Sequence, residues 1–160
     1  MAHRRAKIIN ALATLFETLK DPTADFPIHV KTVQKRFVNW TQLDSQNAIP
    51  ALLLTYGDDG SIEEGGTDAR YGAVGTVVEH LPFALTAVLK DSDTAPLTEQ
   101  VADIHYAIGR LINGNRRLGV EGVADTRIVS WTGTEGVNTK FEVIKFRIIV
   151  DHIYPATQSV

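Results

Sequence analysis

"GAVGTVVEHLPFALTAVLK", residues 72–90, holds two apolar, β-branched runs that meet at Pro82. They read either as two strands or as one long strand bent at the proline, because proline supplies no N–H to a ladder. The number of strands before the second helix, three or four, turns on that joint. Upstream, "AIPALLLTY" (48–56) is almost continuously apolar, as in a strand covered on both faces. Pro50 sits near its start, where a missing donor is tolerated. "IHVKTVQKRFVNW" (28–40) is rich in β-branched and aromatic residues and reads as a strand. Polar residues fall on both of its faces, which suits an edge strand or one covered by a neighbouring subunit. "TQLDSQN" then reads as a connecting turn.

Downstream, "TRIVSW", a turn at "TGTEGVNT" and "KFEVIKFRIIVDHIYP" predict a hairpin. In its last strand Ile144, Phe146, Ile148 and Val150 alternate with Lys145, Arg147 and Asp151, so one face is expected inside and the other in water. Two helices complete the pattern. Ile8, Ile9, Leu12, Leu15, Phe16 and Leu19 share one face of a 3.6-residue period, and Pro22 ends the run. Leu97, Val101, Ile104, His105, Ile108, Leu111 and Ile112 share a face of the second helix. "DSDTAP" leads into it, with Asp93 or Thr94 as cap and Pro96 in the first turn. The order predicts an α+β fold, an antiparallel (at most mixed) sheet with two helices packed on one face. No repeat or linker divides residues 1–160, which read as a single domain.

Composition narrows the chemistry. With 44% hydrophobic and 22% charged residues, the chain is of globular type. It has no cysteine, which excludes disulfides, thiolate metal sites and cysteine nucleophiles. "MAHRRAKIINAL" does not read as a signal peptide, and no run approaches the roughly 20 apolar residues of a membrane helix. Residues 1–40 carry seven Lys/Arg against three Asp/Glu, and residues 41–160 carry nine against sixteen. Opposite charge on the two parts lets one copy pair with another. His3, His29, His80, His105 and His152 never recur at metal-binding spacing, and no HExxH, GxSxG or phosphate loop exists. His105, on an apolar helix face, reads as a core or interface histidine. No catalytic residue, metal ligand or cofactor is expected.

"YGDDGSIEEGGTDARYG" (56–72) is the remaining candidate for function. It holds Asp58, Asp59, Glu63, Glu64 and Asp68, five glycines and Arg70. The acids lack the alternation of a calcium loop, and the glycines deny the rigidity that acid–base catalysis needs. At about 15 residues it is longer than an ordinary hairpin turn, so it reads as a long loop arm for binding or assembly. Cations suited to contacts between subunits are Arg4, Arg5, Lys35, Arg36, Arg116 and Arg117. The Arg116–Arg117 pair reads equally as a cap on the second helix.

One resemblance covers most of the chain. It rests on "RRAKIINALATLFETLK", "IHVKTVQKRF", "AIPALLLTYGDDGSIEE", "LPFALTAVLKDSD", "PLTEQVADIHYAIGRLI", "NRRLGVEGVADTRIVSW" and "VIKFRIIVDHIYP". In these segments the chain resembles the tail terminator proteins of long-tailed bacteriophages, the tail completion or minor tail protein U-like group. The resemblance implies a non-enzymatic virion protein, assembled in the host cytoplasm into a ring, typically a hexamer. Such a ring caps the head-proximal end of the tail tube, stops its polymerisation and meets the head connector. DNA passes through its bore without specific binding, and no membrane is involved. The alternative is a small nucleic-acid-binding α+β module of α-β-β-β-α order. Against it stand the net charge of -3 and the acidic helix start "LTEQV". A small enzyme using the acidic loop is the third reading.

Overall fold

In the computed structural model, which describes residues 3–21, 25–64, 75–134 and 140–155, the stretch around Pro82 is one strand. The elements are α1 (Arg4–Glu17), a 3-10 turn (Thr18–Lys20), β1 (Thr32–Gln34), α2 (Trp40–Ser45), β2 (Ala51–Tyr56), β3 (Ser61–Glu64), β4 (Thr76–Lys90), α3 (Leu97–Gly114), β5 (Val123–Gly133) and β6 (Phe141–Pro155). The sheet order is β1-β2-β4-β6-β5, with β3 on β4 beyond the end of β2. Among the described residues only β1 and β2 run parallel, so the sheet is mixed with an antiparallel body.

β4 organises this sheet. Along one edge it pairs with β6 from Thr76↔Pro155 to Lys90↔Phe141. Along the other it changes partner: β2 covers Phe83–Val88 and β3 covers Val77–His80. Pro82 lies at the change. The N and C=O of a strand residue project to the same edge. The Pro82 carbonyl accepts the Gly57 N–H at 2.9 Å, so its missing donor also faces the change of partner and the β6 ladder loses nothing. A side chain at Gly57 would meet Pro82 and Phe83 backbone atoms at 3.2–3.3 Å, and one at Gly60 would meet Pro82 Cδ at 3.0 Å. The two glycines therefore let the chain pass close over the proline.

Alternation sets the layers. Leu52 and Leu54 of β2, Leu81, Phe83, Leu85, Ala87 and Leu89 of β4, and Ile144, Phe146, Ile148 and Val150 of β6 face α1 and α3. Those helices contribute Ile8, Leu12, Phe16, Ile104, Ile108 and Ile112. The intervening residues Ala51, Leu53 and Val88 pack on Val38, Leu43 and Ile49 across the sheet. β2 is thus covered on both faces, as its continuous apolar run implies. Gln100 joins layers: its buried amide donates to the carbonyls of Lys90 (2.7 Å) and Ala95 (2.6 Å), tying β4 to α3.

Four expectations are corrected. Residues 28–40 are not one strand: β1 has three residues, and "TQLDS" belongs to α2, a third helix on the opposite face of the sheet from α1 and α3. Asn39 starts it by accepting the Thr41 N–H at 3.0 Å. The 56–72 stretch is not wholly a loop, since Ser61–Glu64 is sheet. Neither Asp93 nor Thr94 caps α3. Pro96 is its N-cap, and Asp91 Oδ1 accepts the Leu97 N–H at 3.0 Å from six residues back.

Leu85 is fully buried at the centre of β4. Leu85→Ala is expected to cost about 2–5 kcal/mol in urea unfolding. Lys145→Ala, on the exposed face of the next strand, should stay within about 0.5 kcal/mol. Equal losses from both would contradict the layer assignment.

Candidate functional site

Charged side chains gather at the end of the sheet where β3 replaces β2, in two rows on opposite faces. On the face away from α1 and α3, register places His80, Asp151 and Asp125 side by side across β4, β6 and β5. His80 Nδ1 bonds Asp151 Oδ1 at 2.5 Å, and Arg127 Nη1 donates to Asp151 Oδ2 at 2.7 Å. Arg127 also lies 3.5 Å from Asp125 Oδ2. Arg116 grips Asp125 with both arms of its fork, Nε to Oδ1 at 2.6 Å and Nη2 to Oδ2 at 2.9 Å. The Asp151 side chain is fully buried, so the expectation that it faces water is wrong. It does lie on the outer face, but Arg127 and His80 cover it.

Burial alone would raise the Asp125 pKa. The Arg116 hydrogen bond, the charges of Arg116 and Arg127 and the Thr126 backbone N–H outweigh it, holding this carboxyl below its ordinary 3.8.

On the helix face Glu79 and His152 are register partners. Arg5 at the start of α1 donates to Glu79 Oε1 at 3.0 Å, and the Arg4 guanidinium lies 4.2 Å above the Tyr154 ring. His152 is held below its ordinary 6.5 first by burial and then by the Arg4 charge. Gly122, at φ +84°, approaches so near that a Cβ would stand 2.7 Å from His152 Nε2. His105 wedges edge-on between Trp131 (4.6 Å) and Phe146 (4.9 Å), and burial lowers its pKa.

The outer row contains a hydrogen-bonded His–Asp pair, and Ser61 is the register neighbour of His80 on β3. No hydrogen bond joins Ser61 to that ring among the described residues, and Arg127 occupies the second oxygen of Asp151. What the row does physically is fasten β4, β6 and β5 together. Among the described residues no group of three or more His, Asp or Glu could hold a metal ion. No described helix is long and apolar enough to cross a membrane.

The acidic stretch divides. Asp58 and Asp59 are exposed, and their carbonyls accept from Arg147 Nη2 at 3.5 and 3.2 Å. They border a groove of about 300 Å³ with Ser130, Trp131, Lys145 and Arg147. Glu63 and Glu64 belong to β3, opposite Val78 and Val77. Asp68 and Arg70 lie outside the described residues. Of the six cations, Arg4, Arg5 and Arg116 engage partners in their own chain. Lys35 and Arg36 are exposed and reach the neutral side chains of Asn10 and Gln34, and Arg117 is exposed.

Sequence reasoning placed an edge strand within 28–40, where β1 is terminal, but missed the edges at β3 and β5. Among the described residues β5 is an edge strand, and a register shift between Ile128 and Ser130 leaves Val129 without a partner on β6. Val129 is 44% exposed and Trp131 53%, with Tyr106 of α3 at 52%. On the other side of the sheet Ile62 of β3 is 61% exposed, and Tyr56, at the end of β2 beyond its ladder with β1, is 54% exposed. The adjacent apolar pair Ile128–Val129, which breaks the alternation, is the signal that a bulge turns one of them outward. No protein-family model matches this chain, and comparison with curated proteins also finds no match.

Arg116→Ala should cost about 1–3 kcal/mol, less than a fully buried pair would, because Arg116 is half exposed. The depressed Asp125 pKa contributes stability that is present above pH 3.8 and lost as pH falls through the lower folded value. Without Arg116 the folded value rises, so that contribution shrinks and disappears at higher pH. Urea unfolding over a series of pH values measures this; an identical acid limb in both proteins would contradict the pairing.

Proposed function

We propose that this chain is a tail-terminator subunit, a structural virion protein that closes into a ring on the head-proximal end of a phage tail tube. In that place it stops tube growth and offers the head connector a surface, while DNA passes through the bore. The observation that carries this reading is the exposure of large apolar side chains on both sides of the sheet, Ile62 of β3 and Tyr56 at the end of β2 on one and Val129 and Trp131 of β5 on the other. Apolar side chains grouped at the surface of a folded chain mark contact with another protein. A ring needs two different patches that meet head to tail and close, and opposite edges of one sheet supply them.

Charge supports the same reading. The first 40 residues are basic and the remainder acidic, and Lys35, Arg36 and Arg117 present exposed cations while Asp58 and Asp59 present exposed carboxylates. The absence of specific DNA binding follows from the acidic balance, because repelled phosphates release no counterions. The resemblance over most of the sequence supplies the ring's place in the virion and its typical count of six.

Native mass spectrometry and electron microscopy of the purified protein test this. The expected species is a ring of six 17.6 kDa subunits with an open centre, with higher concentration favouring it. A stable dimer as the largest species at every concentration contradicts the ring. In filter binding at low salt, duplex nucleic acid should bind weakly. Salt-sensitive binding at about micromolar or tighter, in the range of basic nucleic-acid proteins, would favour the nucleic-acid module instead.

A further inference from the structure

We propose that the first turn of α1 is a pH-sensitive latch, closed on the sheet while His3 and His152 are neutral and opened when they take protons. The device needs no ring; it is built into the start of α1 and the strands beneath it.

Two histidines act on the same helix start. His3 is the N-cap of α1, and its Nδ1 accepts the Arg5 N–H at 3.3 Å. Serine, threonine, asparagine and aspartate are the usual caps, and they keep their acceptor oxygens between about pH 5 and 8, where histidine titrates. A protonated imidazole has no acceptor nitrogen, and its charge opposes the positive end of the helix dipole. His152 lies on the helix face of β6 and is 5% exposed. Its Nδ1 is buried and has no hydrogen-bond partner among the described residues. Gly122 pins the ring from the Nε2 side, at a distance that leaves no room for a Cβ.

The groups around His152 are the ones that fasten the first turn. Arg4 of α1 lies 4.2 Å above the Tyr154 ring, and that ring is 6.0 Å from the His152 ring. Glu79 of β4 is the register partner of His152, and Arg5 of α1 holds it through Nη2 at 3.0 Å. On β5 the partner is the apolar Val123. Burial and then the Arg4 charge keep the His152 ring neutral below its ordinary 6.5, while the Glu121 backbone and the Glu79 charge act the other way. A proton on His152 therefore stands against Arg4 and competes with Arg5 for Glu79. Both contacts of the first turn weaken together, and the cap at His3 weakens with them.

The opening is local. Ile8, Ile9, Leu12 and Phe16 are buried and hold the body of α1 on the sheet. Residues 4–7 lift, water reaches His152, and Arg4 and Arg5 become free cations. The sign follows from the depressed His152 value. Stability from the neutral ring is whole above pH 6.5 and is lost as pH falls from there through the lower folded value.

Amide hydrogen exchange followed by NMR, corrected for the intrinsic pH dependence of exchange, tests this between about pH 7.5 and about pH 5, above the ordinary carboxylate range. The reporters are the Arg5 N–H and the Lys7 N–H, which bonds the His3 carbonyl at 3.1 Å. Their protection is expected to fall about tenfold or more on acidification, the combined size of a lost cap and a displaced ion pair. Amides of residues 12–16 and of the β4–β6 ladder should keep theirs. His152→Phe, whose ring takes no proton, and His3→Ser, whose cap keeps its acceptor, should each shrink the pH response, and the chain with both substitutions should lose it. First-turn protection that is unchanged with pH, or lost only together with the whole of α1, would overturn the latch. A full response in both single variants would do the same. If His152→Phe does not fold, the wild-type ring decides: its NMR shifts should move over the same pH range as the Arg5 and Lys7 amides. A His152 ring that titrates while those amides stay unchanged would overturn the proposal.

Discussion

The rest of this structure depends on one strand having two partners on a single edge. β4 is 15 residues long, and among the described strands β6 alone matches its length. On the other side β2 stops at Tyr56 and β3 starts at Ser61, and Pro82 occupies the gap where no donor is required. Gly57 and Gly60 carry the chain over the proline, so β2 and β3 are one edge interrupted rather than two unrelated strands. This arrangement gives the sheet two ends of different character. At the β2 end both faces are covered, by α1 and α3 on one side and by α2 on the other. At the β3 end the strands are held by charge.

Those charged rows explain how a narrow sheet end stays ordered. Asp151 and Asp125 are nearly or wholly buried, and each meets a guanidinium. Burying a carboxylate is costly unless paired and hydrogen-bonded, so the row favours one register: a one-residue slip of β5 on β6 would separate Asp125 from Asp151 and turn both sets of side chains to the wrong faces. On the helix face Arg5 and Glu79 hold the start of α1 to β4. The same end carries β3 and the start of β5, the edges assigned to assembly. A fixed register there holds Ile62 in a fixed place, while Val129 lies farther along β5, level with the end of β2.

Much of this was legible in the sequence because periodicity is a statement about burial. The stripes of α1 and α3, the alternation from Ile144 to Val150 and the double coverage of Leu52, Leu53 and Leu54 all follow from counting residues. Failures came where a tertiary partner overrode local preference. Phe37 and Trp40 suggested a strand, yet Asn39 starts a helix whose Leu43 is buried under the sheet. "SIEE" has one apolar residue, too few for a strand on its own pattern, and becomes one because β4 offers an unpaired edge. The cap of α3 comes from Asp91, six residues before Leu97, outside the range of local capping rules. Asp151 obeys the alternation but not its usual meaning, since an outward side chain was covered by Arg127 from the neighbouring strand. Of the candidate site, the exposed Asp58 and Asp59 were legible by composition. The outward turn of Val129 needed the ladder itself.

The account makes assembly, through strand edges rather than through a cleft, the work of this fold. Hydrogen–deuterium exchange of the purified protein at low and high concentration reads that claim at the backbone. The account predicts that amides of residues 61–64 and 123–133 become protected on assembly, by at least about tenfold for those the next subunit covers, while α1, α3 and the β4–β6 ladder change little. Protection that instead appears on α2 or the outer face of α3, with both edges exchanging as freely as in the monomer, would contradict it.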